Sequence, residues 1–490
     1  MKRIICFLCI TTLLLSILAG CSNPASVPSI DESDFAAPPA VGDGEPGVEN
    51  TPAPPADSDT DMAEEDWWDI YDLASLLPDD IEPDLTQTGE LVLYLPTWPE
   101  PWYYKPFVEM YNIKYPNVEF TVKGFGEDYT LFNTILSTEL MAGTGPDILF
   151  PRTMSRSDLQ KLAASGVFMD LNELIESDDN FDIDEFFKPV MDSGIINGKR
   201  YFMPYSYCIN GLLYVPKILD DIGFDTSKIN DPISFMEEIV RTLPKAQENE
   251  NFKYVYNFYS LLSDIFLSSG IRIVDMETKE ILPDEEYFER LIKAYKPVFP
   301  FDIEYYDDRL TRTEKMRSGV TLFDFFQNPF NFVLGVGHQK KNSGFEIHAM
   351  QTISGENLIP ETNNITIREG SPNLQNAWNF VKLILSEENQ GRRFFYDIPV
   401  RENFILPKTI MFHESDFARD PGPYQIAPLT KEEIDTFVSM ATNIETSKNH
   451  NVRFYLRFIR SHLESYFKDE INYDEAVARI KSDLRFYLSE

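Results

Sequence analysis

The chain has 490 residues and a formal net charge of −37, from 80 acidic and 43 basic side chains. This excess of acidic residues argues against a nucleic-acid-binding protein, because binding to the phosphate backbone needs a surplus of Lys and Arg on one face. The hydrophobic fraction of 43% and the 37 Phe and 24 Tyr argue against a disordered acidic chain. At roughly 100–200 residues per domain, the length predicts two or three domains or lobes.

The first 20 residues have the features of a secretory signal peptide, with Lys2 and Arg3 followed by an apolar run of about 15 residues. This run is shorter than the roughly 20 residues of a membrane-spanning helix. It ends in Leu-Ala-Gly-Cys21, which resembles a bacterial lipobox, so we expect Cys21 to be the lipidated first residue of the mature protein. The protein would then be held at the cell membrane, facing the extracellular side. The alternative is an uncleaved anchor with an incidental Cys.

Removal of the signal peptide and lipidation of Cys21 would leave Cys208 as the only unmodified cysteine. No intrachain disulfide is then possible in the mature protein. A body of this length can depend on its hydrophobic core instead.

Two acidic segments precede the body of the chain. Residues 22–88 hold 18 Asp and Glu, ten Pro and no basic residue. The composition of residues 21–62 predicts an extended, self-repelling tether. In residues 63–88 an amphipathic cluster lies among acids and predicts a short helix that docks on the body; a partner-binding segment is the alternative. The cluster comprises Trp67, Trp68, Ile70, Tyr71, Leu73, Leu76 and Leu77.

From residue 89 the pattern alternates between strands and helices. Strands are expected at 91–95, 118–122 and 148–150, with helices at 103–115 and 129–141 between them. This order predicts a mostly parallel sheet covered by helices, and hence an α/β fold. Further helices are expected at 287–296, 374–386, 432–440, 454–466 and 474–487. Asn197-Gly198 is typical of a hairpin turn that needs positive φ.

Motifs for enzymatic chemistry are missing. The sequence contains no G-x-S-x-G elbow, no complete phosphate loop or dinucleotide fingerprint, and no H-E-x-x-H zinc pair. We therefore expect no cofactor and no metal site. A glycosidase needs only two carboxylates across a cleft, so the sequence does not exclude that alternative.

Aromatic residues beside amides are the clearest candidates for ligand contact. Trp98 and Trp102 follow the first predicted strand, at the carboxyl end where α/β sheets bind ligands. Two further groups of aromatic residues with neighbouring amides follow later predicted strands. Aromatic faces next to amides and hydroxyls suit a sugar, although a place in the core is the alternative for any single ring. The later groups are Tyr205, Tyr207, Cys208 and Asn210, and then Phe325, Phe326 and Gln327.

Several stretches resemble the bacterial extracellular solute-binding proteins of family 1. The most specific is 139–150, with Gly143-Thr-Gly-Pro-Asp147 between a helix and a strand, where Asp147 is expected to fix the turn. Stretches 196–217, 318–323, 376–386 and 398–401 are similar in kind. The sequence departs from the family pattern at Val215-Pro216 and over 341–370, which leaves the second hinge undefined.

The resemblance implies a two-lobed, type II periplasmic-binding-protein-like fold, with mixed sheets flanked by helices and hinge crossovers between the lobes. It places lobe 1 at 89–207 with about 362–435, and lobe 2 at 208–361 with about 436–490. By position it also assigns Arg401 and the aromatic groups above to the ligand cleft.

The implied function is capture of a solute, a sugar or oligosaccharide, by hinged closure of a monomeric, non-enzymatic protein that serves the membrane subunits of an ABC permease. A ligand sensor or surface glycan-binding protein without transport stays an alternative, as does a lipid-anchored glycoside hydrolase.

Overall fold

The computed structural model describes residues 81–489, apart from several gaps. The gaps are 96–100, 125–128, 152–153, 155, 210, 257–260, 276–277, 303–314, 317, 327, 339–345, 351–360, 392–396, 414–428 and 445–451. All described residues belong to one compact unit, Glu64–Glu490. The predicted signal peptide, Cys21, the tether and the Trp67–Trp68 cluster lie outside them. Within the described ranges, no helix is long and apolar enough to cross a membrane.

The strands form two larger sheets and one hairpin. In chain order they are β1 Gly89–Leu95, β2 Val118–Gly124, β3 Ile148–Leu149, β4 Ile195–Ile196, β5 Lys199–Arg200, β6 Met203–Cys208, β7 Gly211–Tyr214, β8 Tyr254–Tyr256, β9 Thr321–Phe326, β10 His348–Met350, β11 Glu361–Ile367 and β12 Ile398–Pro399.

The helices in the first half of the chain are α1 Pro101–Lys114, α2 Tyr129–Met141, α3 Arg156–Ala164, α4 Leu171–Ser177, α5 Lys188–Met191, α6 Pro216–Ile222, α7 Pro232–Ala246 and α8 Leu261–Ser269. Those in the second half are α9 Glu285–Tyr295, α10 Pro329–Val333, α11 Leu374–Leu385, α12 Glu387–Gln390, α13 Ile405–His413, α14 Lys431–Thr442, α15 Val452–Phe467 and α16 Tyr473–Ser489. The elements expected from periodicity are confirmed, with ends that differ by a few residues.

Local signals explain several of the boundaries. The Asn197-Gly198 turn joins β4 to β5, and both residues have positive φ, of 51° and 78°. The predicted hairpin is therefore confirmed. Helix α14 begins after Thr430, whose hydroxyl accepts from the Glu433 N–H while the Glu433 carboxylate accepts from the Thr430 N–H.

The first sheet has six strands in the order β12-β6-β11-β3-β1-β2. Strands β1, β2 and β3 are parallel, whereas β11 runs antiparallel to both β3 and β6. Along β1, Leu91 and Leu93 pack into one core cluster and Tyr94 into another. Strand β1 is thus buried on both faces. Three of the five strand pairings in this sheet are antiparallel, so the sheet is mixed, and the parallel arrangement predicted from the strand and helix order is confirmed only for β1, β2 and β3.

The second sheet has four strands in the order β10-β7-β9-β8. Strand β9 pairs antiparallel with β7 and parallel with β8. Helices α7, α8, α9, α15 and α16 contribute to the core of this sheet. The chain passes from the first sheet to the second between β6 and β7 and returns between β10 and β11.

The two sheets meet at an aromatic cluster. A Cβ on Gly211, the first residue of β7, would lie 2.1 Å from the ring of Phe326, so only glycine fits there. The Phe326 ring centroid is 5.1 Å from that of Phe332 in α10 and 6.0 Å from that of Phe437 in α14. Because α10 follows the second sheet yet packs in the first core cluster, the junction is a shared core.

Candidate functional site at the junction of the two sheets

Strand β6 brings two rows of side chains, one aromatic and one polar, to the junction of the two sheets. Tyr205 and Tyr207 point into the first core, with 1% and 0% of their surface exposed. Ser206 and Cys208 alternate with them, as expected for a strand. Ser206 is buried and Cys208 is half-buried. The polar row thus lies at the last residues before the chain leaves the first sheet.

Asp397 is the centre of a polar network at this point. It lies directly before β12, is 8% exposed, and accepts from the Asn363 Nδ2 at 2.8 Å and from the Cys208 thiol at 3.2 Å. The Ser206 hydroxyl donates to it at 3.4 Å and accepts from Asn363 Nδ2 at 2.9 Å. Strand pairing explains this convergence, because β6 lies between β11 and β12.

Asn328 extends the network beyond the second sheet. It lies two residues after β9, and its Nδ2 is 3.3 Å from Asp397 Oδ1. Its own Oδ1 accepts from the Asn331 N–H at 2.9 Å and so caps α10. The hydrogen bonds of Asp397 therefore join groups that belong to segments on both sides of the crossovers.

Lys408 of α13 places a basic group near the same carboxylate. The side chain is 1% exposed, and burial lowers the pKa of Lys408 to about 7. The negative charge of Asp397 opposes this shift without cancelling it. Desolvation disfavours the ammonium form, so Lys408 titrates near neutral pH.

The chemistry of the network is hydrogen bonding. It contains a carboxylate, two amides, a hydroxyl and a thiol. Ser206 and Asp397 are buried, so the groups that could reach the hydroxyls of a solute are those of the half-buried Cys208, Asn328 and Asn363. No group of three or more His, Cys, Asp or Glu suited to a metal ion occurs in the part of the chain that the structure describes.

The structure buries four of the predicted ligand-binding rings. Tyr207 donates its hydroxyl to the Ala441 carbonyl at 2.7 Å, and Tyr205 packs edge-on to Phe150 at 5.4 Å. Phe326 is 0% exposed in the first core and Phe325 is 6% exposed in the second. These rings occupy the core, which was the alternative to ligand contact, and present almost no surface to a solute.

Arg401 is also engaged within the first lobe. It is 8% exposed, its Nε donates to the Leu385 carbonyl at 3.1 Å, and its Nη1 is 2.8 Å from Glu185 Oε2. The guanidinium carbon lies 4.4 Å from the centre of the Phe186 ring. These contacts fix the loop after β12, and ligand contact by Arg401 stays a prediction.

Among the other predicted residues, Cys208 is brought into the Asp397 network. Trp102 is the second residue of α1, although its side chain is not among the described groups. Trp98, Asn210 and Gln327 lie outside the described residues. Asn210 and Gln327 nevertheless directly follow Ile209 and Phe326, at the two strand ends where the sheets meet.

Sequence reasoning missed Asp397, Asn363, Asn328, Lys408 and Ser206. A local signal existed for Asn328, because Asn before Pro329 is typical of a helix N-cap. Lys408 was also visible as a lysine in the mostly apolar stretch of α13. No local signal connects Asp397 with Asn363, since strand pairing alone brings them together.

Comparisons with known proteins agree with this architecture. The sugar-binding protein MalE from Xanthomonas citri superposes with a TM-score of 0.59 at 14% identity, over 82% of this chain and 97% of that one. An ABC substrate-binding protein from Listeria monocytogenes in complex with cycloalternan gives 0.55 at 14% identity, over 82% and 100%. The GacH receptor of Streptomyces glaucescens, solved unliganded and with acarbose, gives 0.53 at 16%, over 82% and 99%.

These similarities show the two-lobed, type II binding-protein fold, with hinge crossovers between the lobes. A search of curated proteins found no match. The family model for bacterial extracellular solute-binding proteins matches residues 96–391, which is more than half of the chain. The chain therefore belongs to the bacterial extracellular solute-binding protein family.

Proposed function

We propose that this protein captures a sugar or oligosaccharide between its two lobes and delivers it to an ABC importer. The observation that carries the proposal is the Asp397 network, because its hydrogen-bonding groups come from both sides of the crossovers. Three similar structures support the class of solute: MalE is named as sugar-binding, and the other two were solved with cycloalternan and acarbose.

Closure of the lobes would follow from the position of the network. A solute that bonds to groups of both lobes stabilises the closed arrangement by its higher affinity for that arrangement. Trp98 and Trp102 would stack on the sugar from the first lobe, while Asn210 and Gln327 would add amides beside Cys208. The positions in the sequence support these roles, because Trp98 follows β1, Asn210 directly precedes β7 and Gln327 directly follows β9. Trp102 is the second residue of α1.

We place the lobes close to the predicted ranges. Lobe 1 holds the first sheet, with 89–207 and about 362–435; lobe 2 holds the second, with 208–361 and about 436–490. Sheet membership supports this division. Because Phe437 and Ile444 pack in the first core, we extend lobe 1 to about residue 444.

The proposal includes a lipid anchor at Cys21, which would hold a monomeric, non-enzymatic protein at the outer face of the cell membrane. The lipobox-like sequence and the acidic tether support the anchor. A permease partner is supported by the similarity to an ABC substrate-binding protein.

A binding experiment tests the proposal. Purified protein is screened by thermal shift and calorimetry against linear and cyclic gluco-oligosaccharides, monosaccharides, peptides and polyamines. We expect at least one saccharide to raise the melting temperature, because a ligand that binds only the native state stabilises it. The protein should not release reducing sugar from any of the saccharides. Binding of peptides or polyamines alone would contradict the sugar assignment.

The site is tested with Asp397→Asn, which keeps the side-chain volume but removes the charge. A hydrogen bond to a charged group contributes about 1.5–3 kcal/mol, so we expect saccharide affinity to fall roughly tenfold or more. The matched control is Asp221→Asn, whose carboxylate is 62% exposed in a surface pair with Lys217. Equal affinity in both variants would place the solute elsewhere.

A further inference from the structure

A groove on the first lobe lies beside the point where the N-terminal segment reaches the body. It has a volume of about 580 Å³ and lies between the ends of α1 and α11 and the short helix α12. This volume is within the range of about 300–1,000 Å³ of cavities that accept a drug-sized group. The apolar part of its lining is formed by Ile81, Met110, Tyr115 and Leu383.

The residues that lead into the groove are tied to the body. The Asp84 N–H donates to the Lys114 carbonyl at 2.7 Å, and the Lys114 Nζ donates to the Glu82 carbonyl at 2.9 Å. Asn117 Nδ2 donates to the Leu85 carbonyl at 2.9 Å. Ile81 packs against the first core cluster. The chain that precedes Ile81 therefore starts from a fixed point at the wall of the groove.

One polar atom of the lining is unsatisfied within the described part of the chain. Asn389 is 1% exposed, and its Oδ1 has no hydrogen-bond partner there, although its Nδ2 donates to the Leu383 carbonyl. A buried acceptor without a donor costs free energy, on the order of 1–3 kcal/mol. The groove thus combines an apolar surface with a lining residue whose buried acceptor is unsatisfied.

We propose that the groove is occupied by the protein's own segment Glu64–Leu77. This segment ends four residues before Ile81 and carries two tryptophans, which combine a large apolar surface with an indole N–H donor. Because the segment is covalently attached close to the groove, its effective concentration there is on the order of millimolar, so weak contacts suffice.

Charge does not select this occupant. The groove is lined by two Lys and three Glu, and Lys382 is already paired with Asp178 at 2.6 Å. The acidic residues of the segment therefore gain little from the groove. Apolar burial of its aromatic and leucine side chains supplies the favourable term, at about 25 cal/mol per Å².

Docking would shorten the tether. If Cys21 is the anchor, 60 residues precede Ile81, and an extended chain of that length reaches at most about 215 Å. With residues 63–80 held on the body, the remaining 42 residues reach at most about 150 Å. Docking would thereby limit how far the body can move from the membrane.

Hydrogen exchange of the full chain in detergent micelles tests the proposal. We expect amides of residues 64–77 to exchange at least tenfold more slowly than those of residues 30–60. Leu383→Glu, which puts a charge in the groove, should abolish this protection, whereas Met141→Glu, at a 60% exposed position outside the groove, should not. Exchange at the unprotected rate in the unaltered chain would overturn the proposal.

A second variant avoids any risk to folding of the body. Trp67→Ser combined with Trp68→Ser changes only the segment, and we expect it to speed exchange at residues 110–115 and 386–390. Phe35→Ser in the tether is the control and should leave those amides unchanged. Unaltered exchange in the double variant, or protection that grows with protein concentration, would overturn the assignment; the second result would indicate a second copy in the groove.

Discussion

Two carboxylates in the first lobe, Asp147 and Asp397, are buried to a similar extent. They differ in where the groups that donate hydrogen bonds to them come from. Asp147 is 2% exposed and accepts from the Val92 N–H at 2.9 Å, the Ser371 hydroxyl at 2.7 Å and Asn373 Nδ2 at 3.0 Å. The Asp397 network instead includes Asn328, which follows the second sheet. Among the described residues, Asp147 thus bonds only within its own lobe, whereas Asp397 bonds to groups on both sides of the crossovers.

Strand β11 relates the two sites. Asn363, near the start of β11, donates a hydrogen bond to Asp397. The Nη2 of Arg368, directly after the end of β11, lies 3.5 Å from Asp147 Oδ1. With a rise of about 3.3 Å per residue, these two positions are roughly 17 Å apart, at opposite ends of the strand. A buried carboxylate therefore bonds within one lobe at the end of β11, and at the start of β11 it bonds to segments on both sides of the crossovers.

The largest effect should come from Asp147→Ala. Removing this carboxylate leaves Arg368 buried without its charge partner and frees three donors, so the free energy of unfolding should fall by about 3–5 kcal/mol. Urea denaturation measures this loss. The control is Asp221→Ala, at a surface ion pair expected to contribute at most about 1 kcal/mol. Similar losses in both variants would contradict the structural role of Asp147.

The next effect is the pH dependence caused by Lys408. Its pKa is lowered from 10.5 to about 7, so between these values the unfolded chain binds a proton that the folded chain does not. The stability contribution of this group therefore rises with pH in that window, by about 2–3 kcal/mol from pH 7 to pH 9, and is flat below it.

Lys408→Met should remove this slope, as measured by denaturation at a series of pH values. Lys217→Met, at a side chain that is 68% exposed, is the matched control and should keep the slope. An unchanged slope in Lys408→Met would show that Lys408 is charged in the folded protein. The basic partner of Asp147 is instead an arginine, Arg368.

A smaller effect, on saccharide affinity, should distinguish the Asp397 network from the hydrogen bonds of Asp147. Asn328→Ser keeps an N-cap for α10 but loses the amide that reaches Asp397, so saccharide affinity should fall about fivefold, corresponding to about 1 kcal/mol. Asn373→Ser removes the matching amide from Asp147 and should lower stability without changing affinity. Calorimetry and denaturation of both variants give the comparison; equal affinity changes would mean that the networks do not differ in function.

The smallest effect concerns a contact between helices of the two lobes. The Lys161 Nζ in α3 lies 4.3 Å from the centre of the Tyr487 ring in α16. An exposed cation–π contact contributes about 0.5–1 kcal/mol, so Lys161→Gln should change saccharide affinity two- to fivefold. Lys293→Gln, whose partner Tyr473 lies in the same lobe, is the control and should leave affinity unchanged. An equal change in both would exclude a role of the Lys161 contact in closure.

The elements of the first lobe were predictable because their signals are local. Leu91 and Leu93 alternate with polar or opposite-facing neighbours, α2 was predicted with both of its ends, and Asn197-Gly198 forms the expected hairpin. The structure also agrees with the expected structural role of Asp147 at the Gly-rich turn, and it shows the donors that hold it in place. Spacing and turn chemistry are short-range properties, so they can be read from neighbouring residues.

The candidate site was predicted only in part. Cys208 belongs to the network, but Tyr205, Tyr207, Phe325 and Phe326 are core residues, since an aromatic ring after a strand can face either a cleft or the core. The carboxylate at the centre of the network, Asp397, was not identified. The charge of −37 did not help, because a total over 80 acidic residues does not single out one position.

By itself, the sequence determined the α/β class, the order of the segments and the family resemblance. These follow from hydrophobic periodicity, from Gly and Pro at the ends of helices and strands, and from short motifs, all of which are properties of neighbouring residues. Only the tertiary structure decided which polar groups meet. Ser206, Asn363 and Asp397 are separated by more than 30 residues from one another, and they converge because β6, β11 and β12 pair side by side. The register of strands that are distant in the chain depends on the whole packed sheet, and no local pattern contains it.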